Sequence, residues 1–191
     1  MLQLLIGIVL FFGAHSASIV ALPVRERMVA KNAIAWKAVY ALASLAGIVL
    51  MVRGYADLRS APTVIYTTPY WMRHVSALLL LPVFIFFIAP YFPGRIKTAL
   101  KHPQLVAVKL WAVAHLLVNG MLADLLLFGS FLAWAVVDRI SLKRRPQRPL
   151  PGAPESGIND AIIVVVGLAL YAVFAFWAHE WLFGVRPFVR T

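Results

Sequence analysis

The chain has 191 residues, of which 62% are hydrophobic and 13% are charged. Ordinary globular domains are about 45–50% apolar and about 25% charged, so this composition excludes a typical soluble domain and indicates an integral membrane protein. Cysteine is absent, which excludes disulfides and thiolate metal ligands. The formal net charge is +11, but no long basic run with interleaved aromatic residues occurs, so we predict no nucleic-acid partner.

Six apolar stretches are candidates for transmembrane helices, each of which needs about 20 residues with a range of roughly 17–25. In chain order they cover about 2–22, 33–52, 75–92, 103–119, 122–140 and 161–182. They predict an all-α integral membrane bundle of six transmembrane helices in a lipid bilayer, forming a single domain over residues 1–191. The fourth and fifth stretches are either one continuous helix or two antiparallel helices with a turn at Asn119-Gly120.

Lysine and arginine decide between these alternatives, because cytoplasmic loops are enriched in both. With six helices, one side of the membrane carries twelve of them: Arg25, Arg27, Lys31, Lys37, Arg95, Lys97, Lys101, Arg139, Lys143, Arg144, Arg145 and Arg148. The other side carries five: Arg53, Arg59, Arg73, Arg186 and Arg190. One continuous helix would place the basic residues after position 138 on the side that carries fewer lysines and arginines. We therefore predict the turn, with both termini on the non-cytoplasmic side.

The histidines are the candidate metal ligands, and all five lie in or at the edges of predicted spans: His15, His74, His102, His115 and His179. Imidazole suits haem iron, and no thiolate competes with it here. Trp111, His115 and Asn119 share one face of the fourth helix at i, i+4 spacing. The residues around His15 are nearly all small, which allows a helix or a flat macrocycle to approach the backbone closely. Two helices that each offer one histidine to the bundle interior are the arrangement expected of a b-type haem site.

Each histidine also has a plainer interpretation. For His15 and His115 it is a hydrogen bond to a neighbouring helix. His102, at the start of the fourth helix, and His179, near the outer boundary, are better explained as interfacial residues. These alternatives stay open at the level of sequence.

Two further polar positions belong with this set. His74 is either interfacial or stands at the edge of a haem, with Arg73 on a propionate. Lys109 lies about 120° round the helix from His115, at 100° per residue. Its long side chain is tolerated in the membrane because the ammonium group can reach the inner surface.

Four segments resemble the NnrU family, whose plant relatives are the zeta-carotene isomerases. They are FFGAHSAS in the first helix, RH at 73–74, HPQLVAVKLWAVAHLLVNG in the fourth helix, and LLLFGSFLAWAVVDRISLKRR leading into the next loop. The likeness to NnrU covers most of residues 1–145. The likeness to the isomerases rests on the histidine of the first helix and on the spacing from His102 to His115. The likeness to the isomerases implies a b-type haem held by His15 and His115. The likeness to NnrU implies a bacterial inner-membrane protein linked to denitrification, in nitrite or nitric oxide reduction.

A depth count favours a different pair of ligands. At 1.5 Å per residue, His15 lies roughly 10 Å from the inner boundary and His115 roughly 6 Å from the outer one. Across a core of about 30 Å, their backbones are offset by roughly 14 Å. His74 is closer in depth to His115, so His74–His115 is the rival of the pair that the family resemblance implies.

Three functions follow from these expectations. A haem that loses one axial ligand on reduction would assist cis–trans isomerisation of a lipid-soluble polyene, which makes a lipophilic small molecule the substrate. A haem that binds nitric oxide or relays electrons would serve nitrite or nitric oxide reduction. The third alternative is a non-catalytic structural or assembly subunit, with a membrane protein or a second copy of the chain as its partner.

Overall fold

The computed structural model describes residues 1–146, 148 and 150–188, and within this part the chain is helical with no strand. An isolated antiparallel bridge joins Val64 and Met121. The ten α-helices, in chain order, are α1 (Leu2–Val20), α2 (Leu22–Lys31), α3 (Ala33–Ser60), α4 (Met72–Leu80), α5 (Val83–Ile88), α6 (Arg95–Leu100), α7 (Pro103–Leu116), α8 (Leu122–Ser141), α9 (Ile158–Val173) and α10 (His179–Phe183). A 3-10 turn at Ala89–Tyr91 follows α5, and a π-helical turn at Phe174–Ala178 joins α9 to α10.

The prediction of an all-helical membrane protein is confirmed, whereas the count of six spans is not. Four stretches of the described chain are long and apolar enough to cross a bilayer: Leu2–Val20, Ala33–Ser60, Met72–Tyr91 and Ile158–Phe183. Helix α7 has 14 residues, which at 1.5 Å each reach only about 21 Å. Helix α8 has 20 residues but carries Asp124, Asp138 and Arg139.

The predicted boundaries differ from the structure where polar residues continue a helix. The second span was expected to end near residue 52, but α3 continues through Arg53 and Asp57 to Ser60. Helices α2 and α6 occupy segments that were expected to be loops. The third span is interrupted at Pro82, because proline lacks the N–H that a continuous helix requires.

The described chain forms two compact units. The first contains residues 1–68 and 118–145, and therefore α1, α2, α3 and α8. The second contains residues 69–117 and the described residues from Pro146 onward, with the remaining helices.

In the first unit, α1 packs closely on α3 through glycines. A Cβ atom at Gly7 would lie 2.6 Å from the backbone nitrogen of Met51, and one at Gly54 would collide with the backbone of Leu4. Leu4 is fully buried at this contact. Lipid provides no hydrophobic driving force between helices, so their association depends on van der Waals packing. The glycines allow the backbones of α1 and α3 to approach closely enough for such packing.

A tight turn precedes α8 in the same unit, at the Asn119-Gly120 position that the sequence predicts. The carbonyl of Gly120 accepts the backbone N–H of Ile65 at 2.8 Å, and Leu122 donates to the carbonyl of Thr63 at 2.8 Å. A side chain at Gly120 would collide with the carbonyl oxygen of Tyr66. The predicted break between the fourth and fifth helices is thus confirmed, since α7 ends at Leu116 and α8 begins at Leu122.

The second unit is built on α5, α7 and α9. Ile85, Ala89 and Ile163 form its buried core. The hydroxyl of Ser76 donates to the carbonyl of Ala114 at 2.8 Å, and Gln104 donates to the carbonyl of Phe87 at 3.3 Å. From the first pair to the second, the position rises from 76 to 87 on α4 and α5 and falls from 114 to 104 on α7. Helices α4 and α5 therefore run antiparallel to α7.

Candidate metal-ligand histidines

His15 lies on α1 in the first unit, half-buried, with its ring orientation fixed by its own helix. Its Nδ1 is 2.8 Å from the carbonyl oxygen of Phe11, one turn earlier. Because a carbonyl oxygen only accepts, Nδ1 carries the proton and Nε2 carries the lone pair of the neutral ring. The imidazole also stacks on the Phe11 ring, with centroids 4.0 Å apart and planes 25° apart.

Aromatic side chains from three helices surround the His15 ring. Tyr40 of α3 lies 5.0 Å away between ring centroids, and Trp134 of α8 meets the ring edge-on at 5.7 Å and 89°. Phe12 and Phe131 extend the cluster, with ring centroids 4.9 Å apart. This environment is apolar and limits the access of water to the imidazole.

Gly13 leaves a gap on the surface of α1 near His15. An added Cβ atom at Gly13 would have no neighbouring atom within 4 Å. The small residues predicted to allow a close approach to this part of α1 therefore border free space at Gly13.

His115 lies on α7 in the second unit and repeats the local geometry of His15. Its Nδ1 is 2.8 Å from the carbonyl oxygen of Trp111, again one turn earlier, so the same tautomer holds. The Trp111 and His115 rings lie 5.1 Å apart at 50°. The predicted shared face of Trp111 and His115 is confirmed.

Asn119 does not extend that face, and this part of the prediction is wrong. Helix α7 ends at Leu116, so the i, i+4 spacing stops before Asn119. The carbonyl of Asn119 instead accepts the hydroxyl of Tyr66 at 2.9 Å, within the turn of the first unit. The alternative that Asn119 marks the turn before Gly120 is the one the structure supports.

His74 lies on the first turn of α4, exposed, in the second unit. The hydrogen bond from Ser76 to Ala114 shows which residues of α4 and α7 lie side by side. Because the two helices are antiparallel, His74 and His115 lie at similar heights on adjacent helices. The guanidinium of Arg73 stands 5.2 Å above the Tyr70 ring, in a cation–π contact.

The two predicted ligand pairs differ in where their members lie. His74 and His115 share the second unit, whereas His15 belongs to the first. His102 precedes α7, as predicted, and Nδ1 of His179 lies 2.8 Å from the carbonyl of Val185. Across the described residues, no three histidine or carboxylate side chains come together as a metal site. The histidines predicted as ligands, His15, His74 and His115, lie on three separate helices.

Sequence reasoning missed two polar groups beside this cluster. Asp138, 7% exposed, forms an ion pair with Arg145 in which Nη2 lies 2.5 Å from Oδ1. The signal available in the sequence was the i, i+4 spacing of Trp134 and Asp138 in an otherwise apolar helix.

Comparison with known proteins places these observations in one family. The model of the NnrU protein family matches residues 3–187, which is nearly the whole chain. No curated protein and no solved structure gives a significant match.

Proposed function

The chain belongs to the NnrU family, and on that premise we propose that it is an integral membrane b-type haem protein with His15 and His115 as axial ligands. The observation that carries the proposal is the matching geometry of the two histidines. Each Nδ1 lies 2.8 Å from the carbonyl four residues earlier, and each ring contacts the aromatic side chain at that position.

This geometry is compatible with metal binding. A ligating imidazole donates its other N–H to a carbonyl or carboxylate, which fixes the tautomer, orients the ring and raises its basicity. Phe11 and Trp111 supply the carbonyls, and their rings restrict rotation of the imidazoles. His74 lacks an equivalent bond to a helix carbonyl among the contacts of the described chain and stands exposed, so we rank it second.

The protein's own residues would hold the cofactor and exclude water from it. His15 and His115 would hold the iron, the aromatic cluster around His15 would keep water away, and the open position at Gly13 would leave room for the macrocycle. The chemistry that haem supplies when bound is one-electron exchange at iron and contact with a small ligand or a double bond.

We propose two reactions for such a centre, both in the bacterial inner membrane with both termini non-cytoplasmic. Family membership favours a role in nitrite or nitric oxide reduction. The open position at Gly13, which faces no protein atom within 4 Å, favours access for a lipophilic polyene whose double bond is isomerised. Added nitric oxide should shift the spectrum of reduced protein in both cases, whereas only the second predicts turnover of a cis-polyene.

The alternative is a non-catalytic structural or assembly subunit. Large aromatic side chains near the end of the last span are exposed, with Phe176 at 74%, Trp177 at 62% and Trp181 at 72%. Lipid or a membrane partner would cover them. Stable co-purification of a partner by colourless protein would favour this role over the haem protein.

A pyridine haemochrome assay tests the proposal directly. Protein expressed with a haem supply and purified in mild detergent should contain about one non-covalent b-type haem per chain under the two-ligand arrangement. Its reduced spectrum should differ from its oxidised spectrum in the Soret and α bands. Folded protein without pigment would reject haem binding.

A further inference from the structure

Two buried N–H groups in the first unit have no acceptor within the described part of the chain. They are the indole Nε1 of Trp134 and the Nη1 of Arg145. A buried donor without an acceptor is costly, so folded proteins leave few of them. Indole and guanidinium nitrogens only donate. The missing partner must therefore bring acceptor atoms.

Asp138 connects the two donors. It lies one helical turn after Trp134 on the same face of α8, and its Oδ1 binds Nη2 of Arg145 at 2.5 Å. This ion pair uses Nη2 of the guanidinium and leaves Nη1 without an acceptor. The side chains of Asp138 and Arg145 are only 10% and 15% exposed, so solvent reaches this ion pair poorly.

The charge of this segment selects the kind of acceptor. Asp138 is the only acidic residue between positions 138 and 148, which also contain Arg139, Lys143, Arg144, Arg145 and Arg148. Water would satisfy the two donors but would bring no negative charge to this basic segment. A carboxylate or phosphate satisfies both, and hydrogen bonds to an ionised acceptor are about twice as strong as neutral ones.

We propose that Trp134 and Arg145 form a binding site for an oxyanion, either a carboxylate or a phosphate group. A haem propionate is one source, because the Trp134 ring contacts His15 at 5.7 Å between centroids. A phospholipid headgroup is the other, because α8 ends here in a basic segment. The propionate source rests on the proposed function, whereas the site itself does not.

Two variants test the site, one by removing the indole N–H and the other by removing the guanidinium. Trp134→Phe removes the indole N–H and keeps an aromatic ring. Asp138→Asn combined with Arg145→Gln removes both charges together, so that no buried charge is left unpaired. Trp177→Phe is the matched control, because Trp177 is 62% exposed and lies in the second unit.

The experiment has two arms on purified full-length protein. In the first, haem and haem dimethyl ester, whose propionates are blocked, are titrated separately and followed by Soret absorbance. In the second, delipidated protein is mixed with phosphatidylglycerol, and native mass spectrometry counts the lipids that stay bound.

A propionate ligand predicts that wild-type protein binds haem roughly tenfold more tightly than the ester, and that both variants reduce this ratio, as expected for the loss of a charge-assisted hydrogen bond. A lipid ligand predicts that both variants lose a bound phosphatidylglycerol that wild type and Trp177→Phe retain. Either result supports the site. Variants that match wild type in both arms overturn it, since the donors then hold only water. If neither haem nor its ester binds, the proposed function fails while the lipid arm still tests the site.

Discussion

The hydroxyl of Tyr55 donates a hydrogen bond of 2.6 Å to the carboxylate of Asp124, joining the end of α3 to the start of α8. The second carboxylate oxygen accepts the backbone N–H of Met121 at 2.9 Å and caps α8. Asp124 is 2% exposed, so a single side chain satisfies two donors in a place that water hardly reaches.

Removing this carboxylate should destabilise the first unit. Asp124→Ala leaves the Tyr55 hydroxyl and the Met121 N–H without their acceptor, and each unsatisfied buried donor costs about 1–3 kcal/mol. Tyr55→Phe removes donor and bond together and should cost less, about 0.5–1.5 kcal/mol. Chemical unfolding in detergent, followed by circular dichroism, measures both free energies. Equal losses in the two variants would contradict this account.

Gly120 should tolerate no side chain. Gly120→Ala would place a Cβ atom against the Tyr66 carbonyl, and the turn would have to open, at a cost of about 1–3 kcal/mol. Gly129→Ala is the matched control, because a Cβ atom there meets nothing within 4 Å. In a helix interior that control should gain about 0.5–1 kcal/mol. Thermal unfolding of both variants in the same detergent measures these changes. Equal stability changes in the two variants would contradict the close contact at Gly120.

The apolar periodicity and the turn chemistry were readable from the sequence. The sequence predicts α1, the last span and the break at Asn119-Gly120, because long uncharged runs and an Asn-Gly pair carry strong local signals. The Trp111–His115 face was also predicted, since it depends only on helix geometry within four residues.

Other features depend on contacts between distant segments and were missed. Helix α3 extends to Ser60 past Arg53 and Asp57, and near its end Tyr55 contacts Asp124, 69 positions away. Sequence patterns of secondary structure extend over far fewer residues than this separation, so they do not reveal the contact. The pairing of Asp138 with Arg145 was missed for a different reason: Arg145 was counted only as a basic residue, and Asp138 was not considered.

The orientation in the membrane can be tested independently of the number of spans. Both six crossings and the four apolar stretches found in the structure place the two termini on one side, with Arg25–Lys31 and Arg95–Lys101 on the other. The two counts differ at Gly120, which six crossings put outside and four put inside. Reporter fusions after Gly120 and Arg148 should give opposite sidedness for six crossings and the same sidedness for four. An outside position for Arg148 would contradict both.

The axial ligands are tested by three single variants. His115 belongs to both candidate pairs, so His115→Ala should abolish haem binding or change the spectrum whichever pair is right. With His15 as the second ligand, His15→Ala should give a five-coordinate or haem-free protein, and His74→Ala should stay close to wild type. With His74 as the second ligand, these two outcomes exchange.

The expected spectral change is large for a physical reason. The neighbours of His15 are aromatic rings, and those that lie within 6 Å between centroids, Phe11, Tyr40 and Trp134, include no other imidazole to replace it. His102→Ala serves as the control, because His102 stands before the first residue of α7 and outside both pairs. Haem content by pyridine haemochrome and the reduced-minus-oxidised spectrum are measured on each variant, with circular dichroism to confirm folding. A wild-type spectrum from folded His115→Ala would reject both pairs.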